Sequence, residues 1–500
     1  ISALLGFARD VTIAATFGAG AALDAYLVAQ GLLNVVLGLL ASAMAKASVP
    51  VIARGVDRGE VRSAHRTAAV ALSVTTMVLA LASLVMWLAA APVLGVLAPG
   101  FDGVEQELAV RLTRIVLIAS VFVAGTNLLA AVAQAHRRFF WAGVQGVPFN
   151  VVMIVAATVF GPRFGVAALA VGYVVASAAR FVAQLVPLRA IGFRITASLQ
   201  LRDRGFREMV PLLPALLIGS AVGNVNTLVD RAVGSTVGEG TIAALSYGWR
   251  VAALGELLLV APLVTALYPA LGVAAAGQDL GRLVHRGLSA VAVILTPVAI
   301  VLVVLATPLV MLAFQRGSFD SADVERTAVA LAFYAAALVA LGWREVLARA
   351  FYAVGDARSP VLVAVAAMVV NVVGDLTIGY RFGIPGLALS TTLALVFAAF
   401  ANTVQFARRH RALAMHDTLP MVARVGLAAV VGTLLGLLAT GQFDERAGES
   451  AWRALVEIWI GLAAVGAGFL GTLALVRAPE LAVLGAAVRR VVRRGDRADA

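Results

Sequence analysis

Apolar residues in this chain run in long blocks, neither alternating with polar ones nor confined to one helical face. Such blocks predict helices over 2–17, 24–51, 68–95, 108–135, 143–161, 165–186, 208–235, 241–272, 286–315, 326–354, 359–380, 384–407, 419–440 and 452–476. Most reach the ~20 residues needed to cross a bilayer as a helix. The breaks between them are short, so nearly every backbone polar group must be satisfied inside a helix. The expected fold is therefore an all-α polytopic membrane protein with fourteen transmembrane helices.

The polar breaks alternate in charge. Arg54, Arg58, Arg62 and Arg66, then His136 to Arg138, Arg189 to Arg207, Arg282 and Arg286, Arg358, Arg408 to Arg411 and Arg489 to Arg497 form one basic set. Phe101 to Glu107, Gly238 to Gly240, Ser318 to Glu325 and Asp444 to Glu449 form a neutral or acidic set. Positive loops stay cytoplasmic, so both termini are expected inside. The net charge of +12 is then an anchor for anionic head groups. Nucleic-acid binding needs a concentrated basic face, which this distribution lacks.

Composition agrees. Of 500 residues 61% are hydrophobic and 13% charged, with mean hydropathy +0.96, whereas a soluble domain is nearer half apolar and a quarter charged. No cysteine is present, which excludes disulfides and thiol chemistry. The five histidines all sit in basic loops, with no metal-ligand spacing. The chain starts with Ile inside an apolar block, which reads as a trimmed N-terminus and not as a signal peptide.

Charges inside the blocks change the picture most. Arg9, Asp10, Asp24, Lys46, Asp230, Arg231, Arg250, Glu256, Arg344, Glu345 and Asp375 all fall within or at the edge of an expected span. A charge at mid-bilayer costs a few kcal/mol or more, so it usually faces a cavity or a partner. Several recur at an offset near 220: Asp10 matches Asp230, Asn150 matches Asn371, and Phe17 to Gly20 matches Val237 to Gly240. Two parallel six-helix repeats follow, a plan that places a transporter's site between the halves. The expected division is an N-lobe at 1–190, a basic linker at 191–207, a C-lobe at 208–410, a helix pair at 411–478 and a basic tail at 479–500.

Leu5-Gly6-Phe7-Ala8-Arg9-Asp10, Phe17-Gly18-Ala19-Gly20, Asp24-Ala25-Tyr26, Ala98-Pro99-Gly100-Phe101, Phe314-Gln315-Arg316-Gly317-Ser318-Phe319, and Phe351-Tyr352-Ala353 with Ser359-Pro360 together resemble the MurJ/MviN lipid II flippase family, across essentially the whole chain. The resemblance implies a bacterial plasma-membrane protein of peptidoglycan biosynthesis and cell shape. By alternating access it would move a polyprenyl-pyrophosphate-linked cell-wall precursor from the cytoplasmic to the outer leaflet, the lipid tail lying in the bilayer or in a groove of the last two helices. By motif match Arg9, Asp24 and Arg250 carry over as substrate-binding residues, and Lys46 is a partial substitute without a match. An Arg–Arg pair usual on helix 2 is missing at Asn34 to Leu39, Ala3 stands where an Arg is usual, Trp249 and Ala253 replace two acids, and Glu345 replaces a lysine. The departures leave the carried glycan open.

Asn371 and Asp375 are four apart on one helical face. With Thr391 and Asp230 they supply the oxygens that hard cations prefer. The resemblance implies sodium on this set, as a coupling ion and not a cofactor of chemistry. A proton-coupled or purely structural network is the alternative. In the first repeat Ile154 replaces Asp375, so the set is complete in one lobe only. Competing functions are a flippase of another lipid-linked glycan, a cation-coupled small-molecule exporter, a membrane glycosyltransferase, and a scaffold for cell-wall proteins at the cytoplasmic side. No outer loop is long enough for a catalytic domain. Arg9→Ala or Arg250→Ala is expected to abolish transport with folding intact.

Overall fold

A computed structural model of the chain describes residues 2–34, 38–274, 280–410, 415–441 and 451–481. Every element among them is helical. The Asn34 to Leu39 stretch is thus described only in part. The Asp444 to Glu449 loop and the Arg489 to Arg497 tail lie outside the described residues.

Helices form two compact units, Ile1–Ala243 with Arg316–Asp323, and Ala244–Gln315 with Val324–Ala500. The first holds α1 (Ser2–Phe17), α2 (Ala21–Leu32), α3 (Gly38–Asp57), α4 (Val61–Leu88), α5 (Ala90–Leu97), α6 (Gly103–Val116) and α7 (Ser120–Ala135). It continues through α8 (Phe139–Val144), α9 (Gly146–Val155), α10 (Gly161–Phe164), α11 (Ala167–Ala190), α12 (Arg204–Met209) and α13 (Leu213–Val237). α3 packs on α4 and α7, α7 on α11, α11 on α9, and α1 on α9. Met44, Ile52, Val70, Leu129, Leu188 and Met209 lie in one of its apolar cores. α13 lies along α2, α3 and α5 and so groups with this unit, although the sequence assigns it to the second lobe.

The second unit is drawn from α14 (Thr241–Gly255), α15 (Ala261–Ala274), α16 (Leu280–Val304), α17 (Ala306–Phe314), α18 (Ser321–Ala336) and α19 (Leu338–Ala353). It ends with α20 (Arg358–Gly374), α21 (Tyr380–Phe382), α22 (Ile384–His410), α23 (Met415–Thr440) and α24 (Ala451–Leu475). α23 and α24 form a hairpin against α16, around Val291, Val425, Val465 and Phe469. Outward, Leu362, Val369 and Val373 line α20, with Leu376 just beyond its end, and Leu427, Val430, Leu434 and Leu438 line α23. Stripes of exposed large aliphatics on both suit hydrocarbon.

The described residues of the apolar blocks are mostly helical, and many of the blocks are interrupted. By length and composition eleven described helices can cross a membrane, or twelve if α18 and α19, bent by 41°, form one span. The interruptions recur between the halves. α4 breaks from α5 at Ala89 as α16 breaks from α17 at Leu305. A 3₁₀ turn at Leu117–Ala119 divides α6 from α7 as Ala337 divides α18 from α19. π turns occupy Ala156–Phe160 and Asp375–Gly379, and a further one Glu256–Val260. π turns widen a helix locally and often lie at functional sites. Local chemistry sets other ends. Asp102 accepts the Glu105 amide (2.8 Å) while Glu105 accepts the Asp102 amide (3.3 Å), a reciprocal box that opens α6.

Candidate functional site

Arg9 is a largely buried cation in the first unit. Its Nε and Nη2 donate to Asp10 Oδ1 (3.0 and 2.8 Å), and Nη1 donates to Asn150 Oδ1 on α9 (3.1 Å). Asn150 in turn donates to the Ser2 carbonyl (3.2 Å). The guanidinium carbon lies 5.8 Å from the centre of the Phe149 ring. Arg9 thus pairs with the carboxylate next to it in the chain. Arg180 on α11 also sits over Phe149, at 5.3 Å. The motif comparison misses Arg180, although the same signal is there, a charge inside the apolar block 165–186.

Asp24 is buried at the start of α2, where Oδ1 accepts the Ala243 amide (2.7 Å) in the first turn of α14. Helix amides with no partner inside the helix are what a carboxylate satisfies at such an end. Asp24 thus has a backbone task, whatever else it does. Lys46 on α3 and Arg250 on α14 are both exposed. Arg231 donates to the Leu27 carbonyl of α2.

Two of the glycine motifs meet. Gly18 and Gly317 both have positive φ (66° and 60°). A Cβ on Gly317 would lie 2.2 Å from the Ala15 carbonyl oxygen, and one on Gly18 would lie 2.6 Å from the Ser318 carbonyl oxygen. The Ser318 amide donates to Ala15 O (2.8 Å) and its hydroxyl to Thr16 O (3.1 Å). Asp323 Oδ2 then accepts the Ala19 amide (2.9 Å). Gly100 makes the counterpart approach at the end of α13: its amide donates to Ser235 Oγ (3.2 Å), and a Cβ there would lie 2.2 Å from Ser235 O.

In the second unit Asn371, Asp375 and Thr391 come together. Asn371 Nδ2 donates to Asp375 Oδ1 (3.3 Å) and Thr391 Oγ1 (3.5 Å). Asn371 and Asp375 are wholly buried, and Asn371 Oδ1 has no hydrogen-bond partner. Asp375 opens a π turn, so the backbone widens where the carboxylate projects. Asp230 lies on α13 of the first unit. Among the described residues no group of three His, Cys, Asp or Glu could hold a metal, so a cation here relies on amide and hydroxyl oxygens. Elsewhere in this unit Arg344 pairs with Glu345 (3.0 Å), and Glu256, Glu345 and Arg349 line a cleft of about 420 Å³.

The Ser359-Pro360 motif begins the candidate span Arg358–Phe382, and Asp356 stands just outside it. Asp356 accepts the Ser359 amide (3.0 Å) and hydroxyl (2.6 Å), and Arg409 donates to Ser359 Oγ (2.8 Å). The Ser359 hydroxyl above all, then its amide and Arg409, hold the Asp356 carboxyl below its ordinary value. A lowered carboxylate value adds stability above the unfolded value and forfeits it as pH falls through the folded one. The unfolding midpoint is therefore expected to drop below about pH 4. In Asp356→Asn that midpoint should start lower at neutral pH and vary less over the acid range, as a pH series of thermal melts would reveal.

Comparison with known proteins gives one family. The sequence profile of "Lipid II flippase MurJ" matches residues 13–446. A probable lipid II flippase MurJ of Vibrio cholerae is 27% identical over 477 residues, covering 90% of this chain and 88% of that one. A lipid II flippase MurJ of Burkholderia cenocepacia is 28% identical over 403 residues, covering 78% of each. Among solved structures, a lipid II flippase MurJ in an inward closed conformation superposes with TM-score 0.79 at 19% identity, over 93% of this chain and 96% of that one. An inward-facing multidrug resistance MATE family transporter gives 0.67 at 16%, over 82% and 95%. At those identities the structural likeness speaks for the fold alone.

Proposed function

Because the chain belongs to the lipid II flippase MurJ family, we propose that it carries a polyprenyl-pyrophosphate-linked cell-wall precursor, lipid II or a close relative, across the bacterial plasma membrane. The observation that carries this reading is the guanidinium of Arg9, held by Asp10 and Asn150 within apolar helices. An anionic head group dragged through hydrocarbon would leave its charges unsolvated. A fixed cation lowers that barrier, and an Arg fork suits phosphate oxygens. No covalent chemistry is needed, so the protein is a transporter and not an enzyme.

The finer parts of the proposal are fourteen spans, both termini cytoplasmic, and two parallel six-helix repeats, 1–190 and 208–410, joined by the basic linker 191–207. The matched breaks at Ala89 and Leu305 and the matched π turns at Ala156–Phe160 and Asp375–Gly379 support the repeats. So does the reciprocal use of Gly100 against Ser235 and Gly317 against Ala15. Asp24 and Lys46 are proposed to meet substrate together with Arg9 in the first unit, and Arg250 is proposed as a substrate contact of the second. The pair 411–478 would hold the lipid tail, and the basic tail 479–500 would meet membrane head groups or cell-wall proteins. Mass spectrometry of lipid co-purified with the protein tests the function: a polyprenyl diphosphate glycan is expected. Its absence, with proteoliposomes that fail to translocate lipid II, would remove the reading.

Sodium is proposed as the coupling ion, held within the second unit by Asn371, Asp375 and Thr391; Asp230, the fourth residue expected from sequence, belongs to the first unit. Asn371 now turns Nδ2 toward the other two oxygens; a half-turn of its amide would bring the unpartnered Oδ1 there, and three oxygens would converge. Sodium, but not potassium, is expected to raise the unfolding midpoint of the wild type, and Asp375→Ala to remove that increment. Equal midpoints in the two salts would eliminate the ion site.

A further inference from the structure

We infer that Arg180 and Arg9, set around the Phe149 ring, form a site for the diphosphate of a lipid-linked substrate, with a polar stripe on α11 beside it; this rests on the function proposed above. Tyr173, Ser177, Arg180 and Gln184 are spaced four, three and four apart, which puts them on one face of α11. α11 is one of the candidate membrane spans. Ser177 and Gln184 are fully buried. Ser177 Oγ, Arg180 Nε, Gln184 Oε1 and Gln145 Oε1 are all buried without a hydrogen-bond partner. A span normally satisfies its polar atoms internally, so four open ones in a single region mark an aqueous or ligand-bearing surface.

Charge points the same way. Arg180 makes no ion pair among the described residues, and its contact is the face of Phe149. A ring face stabilises a cation only weakly beside the cost of burying an unpaired ion, so the ring alone does not offset it. Asp10 is held by Arg9 through two donors. Two guanidinium groups share the Phe149 ring, and Arg180 brings a positive charge that no ion pair among the described residues offsets. An anion of matching extent restores neutrality, and two planar forks can each take one phosphoryl group of a diphosphate. Tyr173, whose hydroxyl donates to Asn34 Oδ1 (2.9 Å) and whose ring stands edge-on to Phe149, fixes that ring in place.

The test is a binding titration of the solubilised full chain with inorganic pyrophosphate, farnesyl diphosphate and farnesol, read by scanning fluorimetry. Farnesyl diphosphate is expected to bind more tightly than pyrophosphate, and Arg180→Met to weaken both about tenfold or more, the worth of a charge-assisted hydrogen bond. Farnesol should bind both proteins equally. Unchanged diphosphate affinity in Arg180→Met, with a lowered midpoint, would make Arg180 a structural clamp and overturn this inference alone. Arg180 dependence for pyrophosphate only would overturn the lipid assignment. Wild type blind to both diphosphates would count against the proposed function itself. If Arg180→Met does not fold, phenylglyoxal labelling of the wild type carries the test: Arg180 should label and be protected by farnesyl diphosphate but not by farnesol. Absence of labelling, or of protection, would refute the site.

Discussion

Gly317→Ala is expected to be among the most destabilising single-methyl changes in this protein, at about 3 kcal/mol or more. Two costs add. The residue has φ of 60°, where any side chain but hydrogen is strained by roughly 1–2 kcal/mol. The new Cβ would also lie 2.2 Å from the Ala15 carbonyl oxygen, an overlap that only backbone movement can relieve. Moving that backbone breaks the Ser318–Ala15 and Ser318–Thr16 hydrogen bonds (2.8 and 3.1 Å) that fasten residues 316–323 to the end of α1. Two other glycines separate the costs. Gly59 has φ of 79° and nothing within 4 Å, so Gly59→Ala should show the backbone part alone, about 1 kcal/mol. Gly20 has neither the positive φ nor the neighbour, and Gly20→Ala should be near neutral. Apparent melting midpoints at one scan rate would rank them. If Gly317→Ala melts no lower than Gly59→Ala, the close approach is not holding this end of α1.

Arg9→Ala is expected to stop transport and also to weaken the fold, in contrast to the expectation from sequence that folding stays intact. Asp10 is 5% exposed and is paired with this guanidinium. Removing one partner of a buried pair costs about 3–5 kcal/mol, because the other charge stays behind. A fall in activity could then be a fall in folded protein. The double variant Arg9→Ala/Asp10→Ala separates the two, since it removes both charges. Its melting midpoint should recover most of the loss, while lipid II translocation in proteoliposomes stays at least about tenfold below wild type, the worth of a lost charge-assisted contact. Translocation at the wild-type rate in the double variant would show that the guanidinium serves folding only.

How much of this was legible beforehand depends on the range of the interaction. α1 was read to the residue, Ser2–Phe17, because an apolar block that stops at a glycine, Gly18, is a local signal. The division of α4 from α5 at Ala89 was not read at all. That break keeps the stretch apolar, so hydropathy carries no mark of it. The Asn371–Asp375 pair followed from helical spacing, and Thr391 joined it through the motif. Arg180 was missed because its partner is a ring 31 positions away and no motif covers it.

Sequence by itself determined that the chain is helical and apolar enough to live in a membrane, and which charges had to be explained. Those are properties of short windows and of composition, where the solvent preference of each residue adds up along the chain. Tertiary structure alone decided the partners: Arg9 with Asp10 and Asn150, Asp24 with the Ala243 amide, Gly317 against Ala15, and Arg180 over Phe149. Each of the long-range ones joins residues tens to hundreds of positions apart at a few ångströms, and hydrogen bonds and charges fall off too steeply with distance and angle for pattern to stand in for position.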